Sequence, residues 1–140
     1  AAFELTKRAL EVEDNNLPII ESIKDVAAQL QELRSAKKEH FVVLYLNARN
    51  QLVHKELISV GTLCENLVHP REVFKPAIDC LAASIIVAHN HPSGDIEPSQ
   101  ADIEITKKLI HAGKILDISV NDHVIISHNS QNSIIGLATH

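Results

Sequence analysis

Residues 84–102 read Ser-Ile-Ile-Val-Ala-His-Asn-His-Pro-Ser-Gly-Asp-Ile-Glu-Pro-Ser-Gln-Ala-Asp, and no other stretch restricts the chain so strongly. Ser84 to Ala88 is a short apolar run, which predicts a strand in the middle of a sheet. His89 and His91 follow at a spacing of two, so a continuing strand points both imidazoles the same way. Pro92, Gly94 and Asp95 predict a turn. Ser99-Gln-Ala-Asp102 then resembles a capping box, in which the serine accepts from the amide of the third helical residue. Such a cap holds Asp102 in the first helical turn, a rigid place from which to present a carboxylate. If the turn folds that helix back, two His and one Asp meet with a position left open, the ligand set of a catalytic zinc centre. One strand histidine is usually only a satisfied residue; the pair, the loop and the Asp together point to a metal.

The 140 residues fit one domain with a real core. With 45% apolar and 22% charged residues, wholesale disorder is excluded. Aromatic residues are scarce, at three Phe, one Tyr and no Trp, so Ile, Leu, Val and Ala must build the core. A net charge of -5 disfavours nonspecific nucleic-acid binding, which draws on clustered Lys and Arg. Arg34, Lys37 and Lys38 do cluster, and read as a solvated helix end. No apolar run approaches the roughly 18 residues of a membrane span, and no signal peptide is visible. Cys64 and Cys80 are too few for a disulfide framework, which makes a reducing cytoplasm the default and the two thiols buried residues rather than ligands. The chain has no Met, including at position 1, and reads as a fragment or a processed chain.

Phe3 to Leu10 carries a short helical pattern, and the acidic-polar run before Pro18 predicts a linker. Ser22 with Asp25 predicts a helix start, and the stripe Ile23, Val26, Ala27, Leu30, Leu33 carries that helix to about Lys38. Phe41 to Leu46 predicts a strand buried on both faces, Asn47–Asn50 a hairpin loop, and Leu52 to Val60 the partner strand, closed by Gly61. Glu56 lies within that partner strand, where carboxylates are depleted; it is either solvent-facing or there for a reason. Pro70, with His69 as cap, opens a helix on Val73, Phe74, Ala77, Ile78 and Leu81. After the central run, Ile103, Thr106 and Ile110 trace a helix that stops at Gly113. Ile115 to Val120 and Val124 to Ser127 predict two strands joined at Asn121-Asp122-His123. The apolar patch at 134–137 has no clear type. Of the other seven histidines, His111, His128 and His140 read as surface residues. His54 and His123 are open questions, since each sits on or near a strand that could approach the site. The element order predicts a mixed α/β (α+β) domain, one sheet flanked by helices.

His89-x-His91, then Ser99-x-x-Asp102, resembles the JAMM signature of the JAB/MPN metalloprotease superfamily. His89-Asn-His-Pro-Ser-Gly-Asp95 with Pro98-Ser-Gln-Ala-Asp102 resembles more specifically the bacterial RadC family, named for DNA repair. Phe41-Val-Val-Leu-Tyr-Leu46, Gly61-Thr-Leu63, His69-Pro-Arg-Glu-Val73 and Asp122-His-Val-Ile125 look like further landmarks, so the resemblance spans roughly residues 18–128. It implies a JAB/MPN-like (cytidine-deaminase-like) fold over 18–140. Residues 1–17 would be the end of a missing N-terminal helix-hairpin-helix region.

The resemblance also implies roles. His89, His91 and Asp102 match the family's zinc ligands. Glu56, shortly before Gly61, matches the upstream catalytic glutamate, with Glu65 and Glu72 nearby in sequence. Ser99 matches a serine thought to stabilise the tetrahedral intermediate. The reaction would be hydrolysis of a peptide or isopeptide amide, the Zn2+ lowering the pKa of a water and Glu56 moving its proton. Two rival readings are a DNA-associated repair accessory protein and a non-catalytic interaction module of the same fold. The substrate and the oligomeric state are not written in the sequence.

Overall fold

The computed structural model describes residues 16–61 and 68–136. The expected linker lies almost wholly outside them, as do Cys64, Glu65 and His140. The described residues form strands β1 (His40–Leu46), β2 (Leu52–Val60), β3 (Ser84–Asn90), β4 (Ser119–Ile126) and β5 (Gln131–Ser133). The helices are α1 (Ile23–Ala28), α2 (Pro70–Asp79) and α3 (Gln100–Leu116), with a 3-10 turn at Gln31–Arg34. The sheet order is β2-β1-β3-β4-β5. All neighbours are antiparallel except β3 and β4, which run parallel and are joined by α3. This is the mixed-sheet α+β domain the sequence predicts.

Strand periodicity divides the core into two layers. Phe41, Val43 and Tyr45 with Ile85 and Val87 point to one side, where Val73, Phe74, Ile105 and Leu109 of α2 and α3 cover them. Val42, Leu44 and Leu46 with Ile86 and Ala88 point to the other, under Val26, Leu30 and Leu33. Residues 41–46 are therefore buried on both faces, as their unbroken apolar run requires. Asn47 shapes the β1–β2 loop by accepting from the amides of Arg49 and Gln51 through its side chain, and Asn50 takes positive φ.

Four expectations change. The first helix ends at Ala28, because the Gln31 side chain donates to the Ala27 carbonyl and the chain tightens into the 3-10 turn. Three-residue spacing in that turn still buries Leu30 and Leu33, so the apolar stripe is real while the long helix is not. Arg34 is not a solvated helix end: its guanidinium donates to the carbonyls of Ser127 and Ser130 and to Gln131. Gly113 does not stop α3, which runs to Leu116 and ends on Asp117 in the left-handed conformation. The glycine serves close approach instead, since a Cβ there would lie 2.4 Å from the Ile118 carbonyl oxygen. Finally, residues 119–126 form one strand; Asn121 sits at an irregularity in its pairing with β3 and donates to Ser84. His69 occupies the N-cap of α2, although its side chain makes no capping bond.

Candidate metal centre

β3 continues the side-chain alternation of its core residues, so His89 emerges on the α2/α3 face after Ile85 and Val87. Asn90 points to the opposite layer, where it accepts from the His40 amide and donates to the Lys38 carbonyl. His91 then returns to the side of His89, its amide still bonded to the Ile126 carbonyl. The loop beyond is built to turn: Gly94 has φ +90° and donates to the His91 carbonyl, and Asn132 of β5 holds the Ile96 carbonyl. The chain so reversed enters α3 at the edge of the same site.

Ser99 caps α3 as its sequence predicts. Its hydroxyl oxygen accepts from the Asp102 amide at 3.1 Å, and its own amide donates to Asp102 Oδ2 at 2.8 Å. The cap aims the carboxylate at the imidazoles: Asp102 Oδ1 lies 3.1 Å from His89 Nε2, and Oδ2 lies 3.3 Å from His91 Nε2. The two Nε2 atoms are 2.9 Å apart. The ligand atoms of His89, His91 and Asp102 all fall within 4.8 Å of one another, so the three can hold a metal ion.

The outer ring nitrogens are engaged elsewhere. His91 Nδ1 donates to the Asp95 carbonyl at 2.7 Å, and His89 Nδ1 is 2.7 Å from His123 Nε2. His123 lies on β4 opposite Val87, fully buried, and its Nδ1 is 2.6 Å from Thr106 Oγ1. Phe41 stacks on His89 and meets His123 edge-on. Partners at the outer nitrogens orient ligating imidazoles and turn their inner nitrogens toward an ion.

The electrostatics favour a cation. Burial opposes ionisation of Asp102, yet its contacts with His89 and His91 and the bond from the Ser99 amide hold its carboxyl far below the usual range. The hydrogen bond to Asp102 raises His91 above an ordinary imidazole, against the opposing effect of burial. Burial drives His123 well below one and keeps it neutral. The donor set of a buried carboxylate and two imidazoles therefore fits a divalent metal.

Glu56 is not among the clustered residues. It pairs with Val43 on β1, which pairs with Val87 on β3, so it shares the sheet face of His89 with β1 between them; Val87 is about 10 Å from it across two strand spacings, and His89 lies two residues further along β3. It is half-exposed, hydrogen-bonds His54 at 2.9 Å, and lines a cleft of ≈ 570 Å³ with Glu72, Lys75 and Cys80. Glu72 is in the first turn of α2. His123 proves to be in contact with the site, and His54 contacts Glu56 rather than the ligands. Thr106 had no signal beyond its place on the inner side of a helix.

A sheet whose central strand ends in two histidines, closed by an Asp from the crossover helix, defines an α+β domain with a side-chain cluster able to hold a metal ion. The model of the RadC-like JAB domain family matches residues 20–138, and the chain belongs to that family. It is 51% identical over 127 residues to UPF0758 proteins of Bacillus mycoides (strain KBAB4), Bacillus cereus (strain 03BB102) and Bacillus anthracis (strain A0248). Each match covers 90% of this chain and 56% of the relative, so the chain spans a little over half their length. Among the described residues no helix is long and apolar enough to cross a membrane.

Proposed function

We propose that the chain is a zinc-dependent hydrolase of the JAMM type that cleaves peptide or isopeptide amides. The observation that carries this reading is the convergence of His89 Nε2, His91 Nε2 and the buried Asp102 carboxylate at the end of β3, with both outer ring nitrogens anchored. Zinc held by these three side chains supplies Lewis acidity and makes water a usable nucleophile at neutral pH. Glu56, on the same sheet face and outside the ligand set, takes the proton of the attacking water and returns it to the departing amine as the C–N bond breaks. The Ser99 oxygen accepts from the Asp102 amide, which leaves its hydroxyl proton to donate to the oxyanion; one such donor is worth about 3 kcal/mol. The cleft beside Glu56 receives the chain next to the scissile bond.

The test is hydrolysis by the zinc-loaded chain of a mixed panel of peptide and isopeptide substrates, followed by mass spectrometry. Cleavage that disappears with a chelator and returns with zinc supports the reading. A fully loaded chain that cleaves nothing in the panel leaves a non-catalytic module of the same fold as the better account.

A further inference from the structure

Two buried polar residues beside the centre, His123 and Thr106, have no part in ligation or proton transfer. Their protons can be placed by elimination. Thr106 Oγ1 lies 2.7 Å from the Asp102 carbonyl oxygen, which can only accept, so the one hydroxyl proton of Thr106 points there. The same Oγ1 is 2.6 Å from His123 Nδ1. With its proton committed, Thr106 can only accept from that nitrogen, and His123 is therefore protonated at Nδ1. A neutral imidazole with Nδ1–H has its lone pair on Nε2, and that atom is 2.7 Å from His89 Nδ1. His89 must then carry its own proton on Nδ1, which leaves Nε2 bare where it meets His91 and Asp102.

We infer that His123 and Thr106 are positioning residues of the metal centre: a hydrogen-bond chain from the Asp102 backbone through both side chains holds His89 in the tautomer whose Nε2 can ligate. The chain starts on one ligand residue and ends on another, crossing from α3 to β4 to β3, so it also ties the helix that carries Asp102 to the strand that carries His89. His91 needs no such relay, because the Asp95 carbonyl sets its tautomer directly. Only the use of Nε2 rests on the proposed metal reading; the tautomer is a property of the chain itself.

The test has one arm without metal and one with it. In the metal-free ¹⁵N-labelled chain, long-range ¹H–¹⁵N spectra are expected to show His89 and His123 protonated at Nδ1. Thr106→Val keeps the shape of the side chain and removes the hydroxyl. It is expected to raise the Nε2–H population of His89 and weaken zinc binding about 10- to 100-fold in competition with a chromophoric chelator. Thr106→Ser restores the hydroxyl and is expected to rescue both readouts, which a purely packing role for the threonine methyl would not allow. His89 protonated at Nε2 in the unsubstituted chain, or Thr106→Val unchanged in tautomer and affinity, overturns the inference. If the tautomers are as expected but His89→Ala binds zinc as tightly as the unsubstituted chain, the metal reading fails and the hydrogen-bond chain alone is supported.

Discussion

His54 Nε2 and Glu56 Oε2 meet at 2.9 Å on one face of β2, the edge strand of the sheet. The contact holds the glutamate against its own strand on the face it shares with His89. Glu56→Gln preserves size and is expected to leave zinc stoichiometry unchanged while lowering turnover about 10²- to 10⁴-fold, the usual span for a lost general base. Zinc analysis and rates on the same preparation check both halves. Undiminished turnover removes Glu56 from the role.

Asp102 has two duties, capping α3 and presenting a carboxylate, and they can be separated. Asp102→Asn keeps an acceptor for the Ser99 amide and is expected to retain the helix while losing zinc. Asp102→Ala loses both, with a further cost of about 1 kcal/mol for the cap. Elemental analysis and thermal melts distinguish the variants. Full zinc in Asp102→Ala would sink the ligand assignment.

The pH dependence of stability without metal follows from two opposite shifts. Asp102 titrates lower in the folded chain than its ordinary 3.8, so its stabilisation is complete above that value and lost as pH falls below it. His91 titrates above its ordinary 6.5, so its stabilisation is complete below that value and lost as pH rises through the folded pKa. Melting temperature is expected to peak between those two values, with the acid limb flattened in Asp102→Asn. Calorimetry across the range checks this, and an unaltered acid limb in the variant would contradict it.

Gly113 faces the backbone at the start of β4. Its replacement by Ala puts a Cβ 2.4 Å from the Ile118 carbonyl and 3.4 Å from Phe74 and Val120. The helix must shift off the sheet, at an expected cost of about 1–3 kcal/mol in denaturant titrations. A neutral effect would mean that the α3–β4 joint yields easily.

Local chemistry made much of this domain legible. The apolar run of β1, the asparagines of its hairpin and the Ser99–Asp102 cap each act within a few residues, and each forms as read. The convergence of His89, His91 and Asp102 was legible for the same reason: the strand period aligns His89 with His91, and the cap places Asp102. What was misread depends on distant partners. Gly113 resembles a helix stop until the Ile118 carbonyl is seen against it, and residues 119–126 look like two strands until β3 pairs along their whole length. The contact of His123 with His89 spans 34 positions and exists only because β4 lies parallel to β3. No periodicity records such a pairing.

The divided origin of the cluster has an energetic corollary. His89 and His91 come from the end of a strand and Asp102 from the helix that crosses back over the sheet, so only the native arrangement gathers them. An ion that binds the folded chain alone adds RT ln(1 + [M]/Kd) to its stability, about 2.7 kcal/mol when the free ion exceeds Kd a hundredfold. Where the proposed zinc binds, the stability of the fold would follow metal supply, and chelation would read out as a lower melting temperature as well as lost activity.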